Sequence, residues 1–194
     1  MRARLGTATL VGYNGFRRVR DKTWSVLISG AFASFGEHSV LALPIRLSGV
    51  SGMTIGSHVY VGAGSWLQIL PHEGGSGSLV LGDGTRISGA VVISVAQEVT
   101  LGRSVLLAKN VYISDHIHAY GNPELPVVDQ GITRIAPVHI EDGAWLGQGV
   151  VVVPGVTIGA GSVVGANSVV TTDIPPRSLA VGAPARVVRH LDEK

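Results

Sequence analysis

From Ile55 onward the chain carries an aliphatic residue at the head of successive six-residue units, in five blocks of three. The heads are Ile55, Val61 and Leu67, then Leu81, Ile87 and Ile93, then Leu101, Leu107 and Ile113, then Ile140, Leu146 and Val152, then Ile158, Val164 and Val170. All fifteen are Ile, Leu or Val, although these types supply only 59 of 194 residues, so composition alone does not produce the period. The second position is usually Gly or another small residue, as at Gly56, Gly62, Gly82, Gly102, Gly147, Gly159 and Gly165. One inward aliphatic per six residues does not fit a 3.6-residue helix. It fits short strands joined at tight corners, where a missing Cβ permits close backbone approach. Three units close a triangular turn of eighteen residues, and stacked turns pair each strand with those above and below. The predicted fold class is all-β, a parallel β-helix of five coils with a short N-terminal helix and one extruded loop.

The pattern also sets the expected boundaries: an N-terminal helix and cap over 1–40, the solenoid over 41–177, and a tail over 178–194. Within 14–28, Phe16, Val19, Thr23 and Val26 recur on one helical side behind Asn14, an expected N-cap. This helix is expected to cap the open first coil. The repeat is interrupted by a Gly/Ser excursion at 73–80, by two extra residues at Val99-Thr100, and by a long loop at 119–139. A loop this long, leaving a rigid scaffold directly after His118, is a favoured place for binding and catalysis. Pro175 and Pro176 end the strand pairing, and the tail is expected to fold back.

Composition narrows the chemistry. Cysteine is absent, which removes disulfides, thiolate metal sites and a Cys nucleophile together. A formal charge of +2 without a Lys/Arg stripe interleaved with aromatics gives no support for nucleic acid as a partner. The apolar stretch from Trp24 to Phe35 is too short to span a bilayer and is broken by Ser25, Ser29 and Gly30. Arg17, Arg18, Arg20, Asp21 and Lys22 precede it in an arrangement unlike a signal peptide, so a cytoplasmic location is expected.

Of seven histidines only His116 and His118 sit together, at the end of Asn110-Val111-Tyr112-Ile113-Ser114-Asp115-His116-Ile117-His118. If the strand persists, residues two apart share a face; at a corner they diverge. Three readings stay open: a histidine general base acting on a hydroxyl, a metal site of both histidines with Asp115 that needs a further ligand from a neighbouring chain or loop, or two polar loop residues.

The run NVYISDHIHAYGNPELPVVDQG, followed by APVHIEDGAWLGQGVVVVPGVTIGAGSVVGANSVVTTDIPPRSLAVGAPARVVR, resembles the hexapeptide-repeat acyltransferases. It is most similar to the O-acetyltransferases of bacterial lipopolysaccharide and capsule synthesis, and more distantly to galactoside and maltose acetyltransferases. The resemblance covers about 40–190. It implies a left-handed coil, which reverses the usual crossover preference, and direct acetyl transfer from acetyl-CoA to a sugar hydroxyl with no metal. It puts the general base at His118, with His116 a helper or a loop residue and Asp115, Glu124 and Asp129 as candidates to orient the imidazole. It places coenzyme A contacts at Gln148, Ala166, Thr171, Arg186 and Arg189, since paired guanidinium groups suit phosphate. Ser88, standing where galactoside acetyltransferases carry Asn, Trp145 at an expected corner, and Tyr120 in the loop are the candidate acceptor contacts. The resemblance further implies a homotrimer with each active site between two chains. A γ-type carbonic anhydrase, which uses the same coil with a histidine-held metal, and a non-catalytic β-helix scaffold are the alternatives.

Overall fold

The computed structural model describes residues 2–71 and 75–192. Glu73 and Gly74 of the expected Gly/Ser excursion, and His72, lie outside the described residues. Short parallel strands stack into three walls of a triangular prism. The first wall runs from Ser34–Phe35 through Met53–Ile55, Ser78–Leu81, Glu98–Leu101 and Val138–Ile140 to Thr157–Ile158. The second begins at Val40–Leu41 and the third at Arg46–Ser48, and each gains one strand per coil. The prism therefore has six full coils rather than five. The additional one, over 34–48, has Phe35, Leu41 and Leu47 as its inward positions, the first of them aromatic and only partly buried.

All fifteen aliphatic unit heads are buried to at least 99%. They form three columns along the prism axis, and neighbours in a column come from adjacent coils in register, as in Ile87–Leu107–Leu146. The small second position is explained by packing between coils: a Cβ on Gly147 would lie 2.7 Å from the Ala166 nitrogen. The left-handed backbone falls two residues later, for example at Gly84 with φ 71°. Buried hydroxyls close the corners, Ser65 donating to the Gly62 carbonyl at 2.8 Å and Thr85 to that of Gly102 at 2.8 Å. Among the described residues no buried side-chain polar atom lacks a partner. Because the columns are continuous, a gap in one weakens the contacts of two coils. Leu107→Ala is expected to cost about 3 kcal/mol, read as a lowered urea midpoint with unchanged slope.

Both ends of the second wall are covered. At the C-terminal end Ser178–Gly182 joins the wall beside Val163–Val164, and Ala185–His190 turns back antiparallel onto it. The tail is thus a hairpin that occupies an otherwise open edge. At the N-terminal end lies α1, Arg2–Ile28, which runs straight through Asn14 instead of starting there. It does cap the first coil, but with its polar side: Ser25 Oγ accepts from the Leu41 N–H at 2.9 Å and donates to the Asp21 carbonyl at 2.7 Å. Asp21 Oδ1 accepts from the Leu43 N–H at 3.3 Å. The apolar side of α1 faces away from the prism.

Candidate active site

The fourth coil's third-wall strand, Tyr112–Ser114, stops where Asp115 bends the chain out of the prism. Strand alternation ends with it, so the two histidines diverge: His116 is buried and His118 is exposed. Asp115 is completely buried. Its Oδ1 accepts from the Ala96 N–H at 2.8 Å, and its Oδ2 accepts from the N–H groups of Gln97 and Glu98, each at 2.7 Å. His116 Nδ1 lies 2.8 Å from the same Oδ1. Burial by itself would raise the Asp115 carboxyl, but the His116 ring and the three backbone donors outweigh it and hold the group below its ordinary value.

Since a carboxylate only accepts, Nδ1 carries the proton and Nε2 is left facing Ser94 Oγ at 3.4 Å. Ser94 Oγ accepts in turn from Gln68 Nε2 at 2.7 Å. Gln68, Ser94 and Ser114 are register neighbours on three successive coils. Sequence reasoning missed this polar column. Its signal is present all the same: these are the residues after the heads Leu67, Ile93 and Ile113, at a position where Gly is the commonest residue and here a polar side chain stands three times in succession.

His118 sits on the short strand Ile117–His118, which pairs antiparallel with Ile132–Thr133 and forms the neck of the long loop. Beyond it, Gln130 ties the loop to itself, donating from Nε2 to the carbonyls of Asn122 at 2.8 Å and Leu125 at 2.7 Å. A groove of about 520 Å³ opens at this corner, with His116 and His118 on one side and Trp66, Tyr112 and Pro154 among the remainder of its lining. An adjoining cleft shares Ile117, Val153 and Pro154 with it and reaches Thr171. The surface is thus continuous from an accessible imidazole along the edge between the third and first walls.

The expected site residues separate into two groups. His118 and His116 line this groove with Asp115 buried behind His116, Thr171 lines the adjoining cleft, and Tyr120 lines a neighbouring cleft inside the loop. Asp115 serves His116 and not His118, because its oxygens are already occupied. Glu124 and Asp129 are exposed on the loop. Gln148, Ala166 and Ser88 lie on the opposite edge of the third wall, where it meets the second; Asn167, next to Ala166, donates its N–H to the Gln148 carbonyl at 2.8 Å. Arg186 and Arg189 project from the terminal hairpin at the end of the second wall. Trp145 stands within a second-wall strand, between Leu106 and Val163, rather than at a corner. Both ring nitrogens of His116 have partners, which sets it apart from a free metal ligand. Among the described residues no three His, Asp or Glu side chains converge within the chain.

Comparison with known proteins adds to this geometry. Residues 137–172 match the family of bacterial transferase hexapeptide proteins (six repeats). A Mycobacterium tuberculosis protein named as an acetyltransferase is 40% identical over 138 residues, covering 71% of this chain and 44% of its own. A Schizosaccharomyces pombe protein named likewise is 44% identical over 96 residues, covering 50% of this chain and 45% of its own. The chain thus spans less than half the length of these two relatives. It spans 95% of WbbJ from Escherichia coli, whose name describes a lipopolysaccharide biosynthesis O-acetyl transferase, at 32% identity over 198 residues and 98% of this chain. Among solved structures, the N-acyltransferase AntD from Bacillus cereus, in complex with dTDP and coenzyme A, superposes with TM-score 0.71 at 19% identity, covering 86% of this chain and 88% of its own. The hexapeptide-repeat acetyltransferase VCA0836 from Vibrio cholerae, complexed with acetyl coenzyme A, superposes with TM-score 0.55 at 28% identity, covering 86% and 75%. The prism is accordingly a left-handed β-helix.

Proposed function

The chain belongs to the hexapeptide-repeat acyltransferases, and from that premise we propose that it transfers the acetyl group of acetyl-CoA to a sugar hydroxyl, with His118 as general base. The observation that carries this reading is the groove running from the exposed His118 imidazole past Ile117, Val153 and Pro154 to Thr171. An extended thioester arm fits such a channel, and an acceptor can enter at its mouth. His118 takes the hydroxyl proton while the oxygen attacks the thioester carbon. The tetrahedral oxyanion collapses, the C–S bond breaks, and the proton held on His118 goes to the departing thiolate. The products are the sugar ester and free coenzyme A, and no covalent enzyme intermediate is required. Asp115 and His116 fix the strand end from which His118 projects. A sugar of a lipopolysaccharide or capsule precursor is favoured as acceptor by the E. coli relative, which matches over nearly its whole length. The reaction is placed in the cytoplasm, where acetyl-CoA is made.

The same reading includes a cyclic homotrimer. The proposed donor contacts are divided between two edges of the third wall, with Thr171 at one and Gln148 and Ala166 at the other, so a single prism does not surround a coenzyme. The outward faces are suited to pairing: Tyr60, Leu106 and Trp145 are exposed on the second wall, Trp66 and Tyr112 on the third. Setting the second wall of one copy against the third wall of the next would bury these side chains and join the two edges. The test is thiol release from acetyl-CoA against a panel of sugars, nucleotide sugars and oligosaccharides, with the mass measured by light scattering. Release that depends on a sugar acceptor, from a particle of three chains, is expected. Acceptor-independent release, or turnover by a single chain, would contradict the proposal.

A further inference from the structure

An amphipathic helix on a soluble protein ordinarily buries its apolar stripe, and α1 does the reverse. Asp21 and Ser25 are its buried side chains, and they hold the first coil by hydrogen bonds. On the opposite side Phe16 and Val19 are each 66% exposed, Val26 72% and Leu27 76%. Their spacing places them in one ridge at 3.6 residues per turn, flanked by exposed Tyr13 and by Trp24 at 36% exposure. From Gly6 to Ile28 the helix is about 34 Å long at 1.5 Å per residue, and no helix among the described residues is long and apolar enough to cross a membrane.

Charge follows the same axis. Arg17, Arg18, Arg20 and Lys22 crowd this segment, and its single carboxylate, Asp21, is paired with Arg20 at 2.6 Å. Arg17, Arg18 and Lys22 line an open cleft of about 590 Å³ between α1 and the second wall, together with Asp21, Val40 and Tyr60. Beyond α1 the balance is inverted, with nine cations against twelve carboxylates in residues 29–194. The molecule is therefore basic and apolar at one end and mildly acidic along the prism.

We propose that α1 is an interfacial helix that seats the protein on an anionic lipid surface. The ridge enters the boundary between acyl chains and headgroups, Tyr13 and Trp24 lie at headgroup level, and the cations meet lipid phosphates. A second copy laid helix to helix would bring the cations together, whereas an anionic bilayer receives ridge and cations at once. The inference stands independently of the acetyl-transfer reading, since it uses no residue of the groove.

Vesicle flotation of the whole chain tests it. Binding is expected to vesicles of equal parts phosphatidylglycerol and phosphatidylcholine, with release by high salt and little binding to phosphatidylcholine alone. Phe16→Asp with Val19→Asp should lower the bound-to-free ratio at least about tenfold, because charged side chains do not enter the acyl boundary. Arg18→Glu with Lys22→Glu should weaken binding to the anionic vesicles alone. Neither pair touches the prism core, so helix content by circular dichroism and mass by light scattering should stay as in the wild type. Wild-type protein that remains with the soluble fraction would overturn the proposal, as would a ridge variant that floats like the wild type. A ridge variant with altered mass would overturn it in favour of a contact between copies.

Discussion

Changing His118 to Ala is expected to lower kcat for acetyl transfer about a thousandfold while leaving thermal stability within about 0.5 kcal/mol of wild type. The two expectations share one cause. The ring is exposed on a two-residue strand held by backbone pairing, so its removal leaves no core gap. The acceptor hydroxyl, in contrast, would lose the group proposed to take its proton. His116→Ala should behave differently, because it removes a buried ring whose Nδ1 lies 2.8 Å from Asp115 and whose Nε2 faces Ser94. Both stability and turnover should fall there. Measuring kcat and the urea midpoint for both variants separates base from scaffold. Full turnover by His118→Ala on the best acceptor would remove it from the mechanism, and an unchanged midpoint for His116→Ala would show the dyad to be dispensable to the fold.

The second large effect concerns Asp115. Its carboxylate receives three backbone N–H groups and the His116 ring in a completely buried corner. Asp115→Asn turns an amide NH2 toward donors and should cost about 3 kcal/mol or more at pH 7. The sign of the pH dependence follows from the direction of the shift. The folded carboxyl lies below its ordinary value, and the unfolded one titrates near about 3.9. The stabilisation is therefore complete above that value and is lost as pH falls through the lower folded value. Urea midpoints measured from neutral pH down into this acid range should decline less steeply in Asp115→Asn than in wild type. Parallel profiles would mean that the carboxylate is not what holds this corner.

The departures from expectation share a physical origin. A fully buried aliphatic column leaves its period in the chain because each head must meet the one before and the one after, which is why fifteen heads were legible and all fifteen are buried. The coil over 34–48 was not legible, since an end coil packs against one neighbour only and tolerates Phe35 and partly exposed Leu47. The apolar side of α1 was readable as helical, but the direction it faces was not. Periodicity assigns residues to a side without saying what lies beside it, and here Asp21 and Ser25 won the contact by satisfying backbone groups of an edge strand.

The site shows the same division. Hexad spacing, the pair His116 and His118, and the long insertion after them point to the corner at which the chemistry is proposed. Which histidine is buried and which is open depended on where the strand ends, and Asp115 ends it by capturing the N–H groups of Ala96, Gln97 and Glu98 from the coil before. By itself, then, the chain's order of residues determined the repeating coil, the identity of its core and the place of the loop, since each is set by contacts that recur every eighteen residues. Only the tertiary structure decided the partner of Asp115, the separation of Ser88 and Gln148 from His118 across a wall, and the outward turn of α1. Those depend on single, non-repeating contacts between distant segments, and such contacts leave no period to read.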